Sequence, residues 1–430
     1  WLGGAMSDLF LLATALAAAL SIAALKAGRP AALAAQLAMF LYLAQQGRQH
    51  LASMPYIGDV AVSLDFYKMP FVATSIALGL LVTLYAPRYL EHLQAARWYY
   101  GVHALYVLSF VWIILFENLV FVFLALELSI ITSFLLIWYF GYGDRRRVGL
   151  LYFIWAQVGS ILFLVGVALS GHFVAEGFKT FGLASLLVLV GLLVKMGTAG
   201  AHFWLPYAHA EAPTPLSALL SPVHVGLMAY WIWRLREGAQ WPLEVLYAYG
   251  LATAIYGSFL VFREVDIKRA LADSTIANMG LLVAAAAVKH PLGYFALALL
   301  FVGHAFAKAA GFMLSGIYIV GLHTRRFDEL RWDLKIFAVA VMAFVALSGV
   351  FGINLLGKIG VALGAPHSLS VVVLLIAALF TTALYSFYIL NRIYKGGAGE
   401  VSVDGEMYIS TLASAVLPYI LMPVVLLWFL

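Results

Sequence analysis

The sequence predicts an all-α polytopic membrane protein, and two observations support that fold class. Hydrophobic residues make up 64% of the 430 residues and charged residues only 10%, with a mean hydropathy of +0.99. A soluble globule needs more polar surface than this composition supplies. In addition, apolar runs long enough to cross ~30 Å of hydrocarbon recur along the chain. The basic residues are scattered through short loops, which excludes a nucleic-acid-binding surface.

We predict about 14 transmembrane helices, numbered here as spans 1 to 14. Prolines interrupt span 7 and glycines accompany the lysine of span 12, so both spans are predicted to be broken. The approximate limits of the spans are 5–25, 30–46, 69–87, 97–116, 118–140, 147–170, 181–211, 213–234, 241–262, 267–289, 292–321, 335–364, 368–391 and 407–430. The chain starts at Trp1 rather than Met, which predicts an N-terminus that is trimmed or incompletely recorded.

The distribution of basic residues predicts the orientation in the membrane. Sixteen of the 25 Lys and Arg residues lie in loops that follow odd-numbered spans, and six lie in the opposite loops. Because cytoplasmic loops collect Lys and Arg, both termini are expected outside the cytoplasm of a prokaryotic-type cytoplasmic or organellar inner membrane. The three remaining basic residues, Lys195, Lys308 and Lys358, lie inside spans.

A short internal echo predicts inverted repeats. The sequence LLVKMG around Lys195 in span 7 returns as LLGKIG around Lys358 in span 12. An offset of five spans reverses the direction across the membrane, as in transporters with inverted repeats and broken helices. We therefore expect four units: 1–96 with spans 1–3, 97–236 with spans 4–8, 237–394 with spans 9–13, and 395–430 with span 14.

Lys195 is an ionisable residue inside an apolar span, and the roles of the other polar residues are inferred from their relation to it. A charge at membrane depth costs ~3 kcal/mol on insertion scales, so it normally faces the bundle interior and a partner. Glu127 is the only carboxylate in the middle of a predicted span, which makes it the expected partner. The alternative is a salt bridge that only joins two helices, but a buried pair often fails to offset its own desolvation. We expect the lysine to stay charged near Glu127 and to release its proton when the carboxylate withdraws.

Four further residues extend this pair into a predicted proton relay. His304 and Lys308 are four residues apart, so both side chains face the same neighbour, and histidine titrates near neutrality. His224 lies on span 8, between Lys195 and the later spans in chain order, and Lys358 is the counterpart of Lys195 in span 12. The alternatives are a lysine held by backbone carbonyls, a packing histidine and a Lys358 that snorkels to the membrane surface.

Residues nearer the membrane faces are candidates for a proton inlet or a gate. These residues are His202, His209, Glu211 and Asp273. His103, near the start of span 4, is expected at the membrane interface.

The chain offers no residues for redox or metal chemistry of its own. It contains no cysteine, which excludes disulfides, thiolate metal sites, iron–sulfur clusters and cysteine nucleophiles within the chain. There is no phosphate-binding glycine loop, HExxH motif or paired His/Asp metal spacing. We predict no catalytic, cofactor-binding or metal-binding residue in this chain.

Four sequence stretches together resemble a known family. They are ALELSIITSFLLI around Glu127, KMGTAGAHFWLPYAHAEAPTPLSALLS, REVDIKRALADSTIANMG and HAFAKAAGFMLSG. They resemble the antiporter-like membrane subunits of respiratory complex I, the L, M and N chains of bacterial NADH-quinone oxidoreductase. That family is similar to subunits of multisubunit sodium/proton antiporters and membrane-bound hydrogenases. The resemblance covers roughly residues 60–390.

The resemblance implies fourteen helices with two inverted five-helix units. It also implies that Glu127 matches the glutamate of span 5, Lys195 the lysine of the broken span 7, Lys308 the central relay position and Lys358 the outlet. Two departures stand out. Many relatives carry a second lysine on span 8 where this chain has Gly226, and their break in span 12 is often proline-rich, whereas here it reads LSGVFGINLLGK.

The sequence thus predicts a proton-translocating subunit in the membrane arm of a redox-driven complex of the complex I or hydrogenase type. Iron–sulfur clusters, flavin or a nickel–iron site are expected only in partner subunits. The expected partners are other membrane subunits, the lipid bilayer and protons or sodium ions. A sodium/proton exchanger subunit without redox partners, and a structural subunit that has lost transport, are the alternatives.

Overall fold

The computed structural model describes residues 2–44, 47–92 and 97–429. Trp1, the predicted end of span 2 at residue 46, the domain boundary after residue 96 and the end of span 14 lie outside the described residues. Within them the chain is mostly helical, and 11 helices are long and apolar enough to cross a membrane. Three shorter apolar helices, Arg29–Ala44, Tyr99–Leu115 and Gly182–Met196, accompany them. The prediction of a polytopic helical membrane protein is confirmed at this level.

The described residues form 17 α-helices. In chain order they are α1 Leu2–Ala27, α2 Arg29–Met39, α3 Met69–His92, α4 Tyr99–Leu115, α5 Leu119–Phe140, α6 Arg145–Ser170, α7 Gly182–Met196, α8 Leu205–Glu211, α9 Thr214–Leu219, α10 Leu227–Leu235, α11 Leu243–Val261, α12 Ile267–Ala287, α13 Leu292–Leu322, α14 Leu334–Ser348, α15 Ile353–Leu363, α16 Leu369–Lys395 and α17 Gly405–Phe429. A 3₁₀ turn at Phe40–Ala44 follows α2, and a π-helical turn at Leu220–His224 joins α9 to α10.

A β-hairpin is an addition to the predicted all-α fold. Strands β1 (Gly47–Met54) and β2 (Gly58–Leu64) pair antiparallel, with Gly47 opposite Leu64 and an irregularity between His50 and Ala52. β2 packs inward: its last five residues are buried, while β1 is mainly exposed.

Helices α12 and α13 occupy the centre of the bundle. In the apolar segment of each helix that could cross the membrane, the share of residues buried inside the protein is 100% in α12 and 89% in α13. The same share is 28% in α1 and in α17. Glycines allow the closest helix contacts, because a Cβ on Gly280 of α12 would lie 2.4 Å from the Gly250 carbonyl of α11. Together with Thr214–Leu235, whose apolar window is 94% buried, the residues on α12 and α13 are therefore the best shielded from lipid.

The first break lies in predicted span 7. Helix α7 ends at Gly197, which has a φ of 63° and occupies the left-handed region that favours glycine. Pro206 stands near the start of α8, where a missing N–H is tolerated, and Pro213 stops that helix from continuing. Side chains satisfy carbonyls freed at the break, since the Trp204 indole N–H donates to the Val194 carbonyl at 3.3 Å.

The second break lies in predicted span 12 and is made by glycines rather than prolines. Gly349, with a φ of 65°, ends α14, and Gly352, with a φ of 83°, precedes α15. The sequence echo does not correspond to equivalent positions at the two breaks. Lys195 lies before its break and Lys358 lies after its break, so the echo is not evidence for inverted repeats.

Candidate functional site

Glu127 and Lys195 approach each other between α5 and α7. Lys195 is buried, and its Nζ has no hydrogen-bond partner. Gly159 of α6 makes room for it, because a Cβ there would lie 2.8 Å from the lysine Cγ. Glu127 is only partly buried, and its Oε2 accepts from the Gln157 amide at 2.5 Å. The charge of Glu127 acts on Lys195, but the carboxylate's hydrogen-bond partner is Gln157. The two side chains thus interact electrostatically without a direct ion pair, which does not match the alternative of a salt bridge that only joins two helices. The role of Glu127 in controlling the Lys195 proton stays a prediction.

His224 lies at the end of the π-helical turn and faces α4 and α5. Its Nδ1 is 2.9 Å from the Tyr106 hydroxyl, and its Nε2 is 3.4 Å from the Ser129 hydroxyl. The Lys195 charge acts on this imidazole. The extra residue of a π turn rotates the side chains that follow it, and such turns are frequent at functional sites. His224 is therefore buried between α4 and α5 and within electrostatic range of Lys195.

Lys308 lies at the centre of the bundle on α13. The Nζ donates to the Leu271 carbonyl and to the Ser274 hydroxyl, both on α12. His304, one turn earlier, is 1% exposed, and neither ring nitrogen has a hydrogen-bond partner. The carboxylate of Asp273 acts electrostatically on Lys308. Lys308 is thus held by neutral acceptors with one carboxylate nearby.

Hydrogen bonds lead from Lys308 toward Lys358. Asn278 donates to the Ser274 carbonyl at 2.8 Å and to the Tyr385 hydroxyl at 2.6 Å. Thr382, one turn from Tyr385 on α16, accepts from the Lys358 Nζ at 2.9 Å. The same Nζ donates to the Ser348 carbonyl at 2.5 Å. Lys358 therefore points into the protein and does not snorkel.

His209 lies deeper than its position in the sequence suggests. It is fully buried, and neither ring nitrogen has a hydrogen-bond partner. Its ring centroid is 6.1 Å from that of Phe312, whose ring is 5.9 Å from the Lys308 Nζ. Charges on Lys308, Lys268 and His224 all act on it. His209 thus lies between the two halves of the predicted relay. His103 is also fully buried within the protein, near the start of α4, and its position at the membrane interface stays a prediction.

Two of the predicted inlet residues line one cavity of about 400 Å³. Asp273 is 1% exposed, and both carboxylate oxygens lack a hydrogen-bond partner. His202 faces the same cavity, with its Nε2 2.9 Å from the Tyr256 hydroxyl. Arg263 and Arg269 also line this cavity. The cavity therefore lies at the end of the bundle that carries the arginine-containing loops after the odd-numbered spans. We call this the arginine-rich end.

Glu211 belongs to a separate ion-pair cluster at the arginine-rich end. Arg325 pairs with Glu211 at 3.6 Å and with Asp266 at 2.6 Å. The same arginine donates to the Ala210 carbonyl at 2.9 Å, at the end of α8. Glu211 therefore does not line the cavity of His202 and Asp273, but it lines a neighbouring cavity of about 550 Å³ together with Tyr207 and Arg269, which line both.

A buried ion pair at the opposite end fastens the hairpin to the bundle. Lys68, just before α3, pairs with Glu117 at 2.6 Å and donates to the Leu115 carbonyl at 3.2 Å. Ser63 of β2 donates to the same carboxylate, and Arg234 lies 3.9 Å from it. Burial by itself would raise the pKa of the Glu117 carboxyl, but the Lys68 ammonium and its hydrogen bond hold that pKa below its ordinary value. We assign this pair a structural role, because no predicted relay residue contacts it.

Sequence reasoning missed the neutral connectors of the relay and the burial of three cations. The connectors are Gln157, Ser274, Asn278, Tyr385 and Thr382. These cations are Lys68, Arg236 and Lys268, of which Lys268 is fully buried at the start of α12. Its only sequence signal was its place beside Asp266 in REVDIKR. Among the described residues, no group of three His, Cys, Asp or Glu side chains is placed to hold a metal ion. That cofactors belong to partner subunits stays a prediction.

Residues 117–385 match the family described as NADH:quinone oxidoreductase/Mrp antiporter, TM. The chain is 28% identical over 341 residues to a protein of Rhizobium meliloti described as a probable K(+)/H(+) antiporter component, covering 74% of this chain and 34% of that protein. It is 30% identical over 326 residues to an NAD(P)H-quinone oxidoreductase chain 4 of Trichodesmium erythraeum, covering 70% and 58%. The matched region thus spans between a third and three fifths of these two relatives.

Three solved complexes contain a chain with the same fold. A chain of respiratory complex I from Thermus thermophilus superposes with a TM-score of 0.85 at 20% identity, covering 96% of this chain and 94% of that one. A chain of the archaeal membrane-bound sulfane sulfur reductase gives 0.84 at 21% identity, covering 100% and 95%. A chain of the Mrp complex from Dietzia gives 0.81 at 18% identity, covering 98% and 93%. All three are multisubunit membrane assemblies.

Proposed function

Because the chain belongs to the NADH:quinone oxidoreductase/Mrp antiporter transmembrane family, we propose that it is a proton-translocating subunit in the membrane arm of a redox-driven complex. One observation supports the proposal: titratable side chains inside the bundle, all buried except the partly buried Glu127, follow one another as electrostatic neighbours as far as Lys308, and we call this series together with Lys358 the row. The row consists of Glu127, Lys195, His224, His209, His304, Lys308 and Lys358. Neutral hydroxyl and amide groups fill the gap between its last two lysines.

The row can move a proton because its members differ in the groups that stabilise their positive charge. Lys195 has no hydrogen-bond acceptor and depends on the nearby carboxylate of Glu127. Withdrawal of that carboxylate, or its neutralisation, favours the uncharged lysine at a desolvated site. A proton released there has His224 and then His209 as electrostatic neighbours before Lys308. Glu127 thus acts as the control and the lysines as the carriers.

The cavity with His202 and Asp273 supports a proton inlet at the arginine-rich end. It leads from Arg263 and Arg269 to a buried carboxylate whose oxygens have no partner and whose charge acts on Lys308. The bias of basic residues makes this end cytoplasmic. Protons then leave on the opposite side beyond Lys358, and both termini lie outside the cytoplasm.

We also propose fourteen crossing segments with two inverted five-helix units, 97–236 and 237–394. The 11 long and three shorter apolar helices are consistent with that number. Each proposed unit contains a break in its fourth crossing segment, between α7 and α8 and between α14 and α15.

The decisive test is Lys195→Met in the intact complex, reconstituted into proteoliposomes. Because the Lys195 Nζ has no hydrogen-bond partner, its removal leaves no buried acceptor unsatisfied, and the complex assembles. Proton transport measured with an internal pH dye is expected to be lost. Lys289→Met, at an exposed lysine, is the matched control and transports normally. Undiminished transport by Lys195→Met contradicts the proposal.

Glu127→Gln keeps the acceptor for Gln157 but removes the charge, so it slows transport about tenfold, corresponding to ~1.4 kcal/mol.

A cation/proton exchanger component without redox partners is the second candidate. The Rhizobium meliloti relative, described as part of a probable K(+)/H(+) antiporter, favours it. Purification of the chain with its neighbours distinguishes the two functions, because only a redox-driven complex contains stoichiometric iron, flavin or nickel.

A further inference from the structure

A second cavity at the arginine-rich end is lined by Tyr142, whose ring lies next to a buried lysine that the proposed relay does not use. The cavity has a volume of about 400 Å³ and is lined by residues of the α5–α6 loop, α8 and the end of α13, among them Tyr142, Glu211 and Arg325. It shares no lining residue with the cavity that contains His202 and Asp273, and a third cavity of about 550 Å³ lies next to both, lined by Glu211 of this cavity and by Tyr207 and Arg269 of the other. Lys268 lies behind it, with its Nζ 5.3 Å from the centroid of the Tyr142 ring.

The surroundings of Lys268 leave its charge uncompensated by direct contact. It is fully buried and donates to the Ala212 carbonyl, which is freed at the junction of α8 and α9. No carboxylate lies within 4.0 Å of its Nζ in the described parts of the chain. The two nearest acids are already engaged, because Arg325 pairs with both Asp266 and Glu211. A lysine ammonium has three donors, and Lys268 uses one of them on a neutral carbonyl.

His209 connects this lysine to the centre of the bundle. It lies two residues before the end of α8, is fully buried, and has no hydrogen-bond partner at either ring nitrogen. The charges of Lys268, Lys308 and His224 all act on it. A buried imidazole without partners can accept a proton on one nitrogen and release one from the other.

Resting on the proposed function, we propose that this second cavity is a further proton inlet and that Lys268 is its relay residue, which passes protons to His209. Asp266 and Glu211 face the lysine from the start of α12 and the end of α8, Arg325 faces it from the loop after α13, and Tyr142 from the α5–α6 loop. The Arg325 ion pairs hold the acids away, so that Lys268 exchanges its proton with the cavity and with His209 rather than forming a fixed salt bridge.

The alternative is a structural lysine that only caps the carbonyls at the end of α8. Cations are favourable at that end of a helix. Lys268→Arg separates the two roles, because arginine keeps the charge and the donor but does not release its proton in proteins. A cap is preserved in Lys268→Arg, whereas a proton relay is interrupted.

The experiment compares Lys268→Arg, Lys268→Met and Lys195→Met in the reconstituted complex, with proton flux as the readout. We expect both Lys268 variants to assemble and to transport at least about threefold more slowly. Flux equal to that of the parent complex in Lys268→Arg overturns this inference. If Lys195→Met is inactive in the same preparation, the proposed function nevertheless stands. If Lys195→Met transports normally, the proposed function itself fails.

A second measurement avoids any dependence on assembly of the variants. The chain has no cysteine, so Thr324→Cys in the cavity lining can be modified in the folded complex by a bulky thiosulfonate. We expect labelling to lower the flux, compared with the parent complex treated with the same reagent and with Tyr56→Cys on the exposed hairpin. Unchanged flux after complete labelling of Thr324→Cys contradicts the second inlet.

Discussion

The two broken spans hold their lysines in different ways. Lys195 lies two residues before the glycine that ends α7, and its Nζ has no hydrogen-bond partner. Lys358 lies in the helix that follows its break and donates to the Ser348 carbonyl and to Thr382. A carboxylate acts on Lys195, while the partners of Lys358 are neutral.

This difference in hydrogen bonding indicates that the two lysines, which lie in similar sequences, have different functions. A buried ammonium without acceptors depends on the nearest carboxylate, so its proton responds when that carboxylate moves. An ammonium held by a carbonyl and a hydroxyl keeps its position whatever happens to distant charges. Lys195 is therefore suited to be a switch, and Lys358 to be a fixed last station.

Lys358→Met is expected to abolish transport and also to lower stability, in contrast to Lys195→Met. Removing Lys358 leaves the buried Ser348 carbonyl without this donor, and an unsatisfied buried group costs ~1–3 kcal/mol. The thermal midpoint of the detergent-solubilised complex should therefore fall by about 2–4 °C relative to Lys195→Met. Equal midpoints for the two methionine variants contradict the contrast between them.

Gly349→Ala is expected to slow transport severalfold by displacing Lys358. A Cβ at this position would lie 2.6 Å from the lysine Cδ and Cε, so the ammonium is pushed from its acceptors. Gly200→Ala, at the other break, is the matched control: its φ is also positive, but nothing lies within 4 Å of its Cβ. Both alanines carry a backbone strain of ~1–2 kcal/mol. Proton flux per assembled complex should fall only for Gly349→Ala. A similar fall in both variants attributes the effect to strain alone.

Much of the fold was predictable because its signals are local. Apolar length located the membrane helices, and prolines or glycines next to buried lysines located both breaks. The family was predictable from four motifs, which the match over residues 117–385 confirms. The hairpin was missed because Gly47–Leu64 is a short polar and apolar mixture between two helices, without a strong alternation on β1.

The site was less predictable because depth in a broken helix depends on where each piece restarts. His209 is close to the end of predicted span 7, yet the seven-residue α8 keeps it fully buried. Charge counting paired Glu127 with Lys195 and had no means of finding the neutral amide of Gln157. Asn278 and Tyr385 carry no charge, so only the three-dimensional contact between α12 and α16 identifies them as connectors.

Lys68 is a buried lysine that forms a direct ion pair, so it can be compared with Lys195 and Lys358, which do not. Unlike Lys195 and Lys358, it has a direct carboxylate partner, Glu117, and no contact with the relay. Glu117→Gln should therefore leave proton flux per assembled complex unchanged but destabilise the complex by ~3–5 kcal/mol, because it leaves a buried ammonium unpaired. The double variant Lys68→Met with Glu117→Leu removes both charges and should recover most of that loss.

The same pair sets a pH dependence of stability with a defined sign. The pKa of Glu117 is held below its ordinary value by Lys68, against the effect of burial. A carboxyl with a lowered folded pKa contributes stability that is complete above its unfolded pKa and is lost as the pH falls through the folded pKa. The thermal midpoint of the parent complex should therefore decline on acidification below about pH 4.3, the unfolded value. That part of the decline should be absent in Glu117→Gln. An identical acid slope in the two complexes would show that Glu117 is not charged in the folded protein and that the contrast between paired and unpaired lysines fails at this end of the bundle.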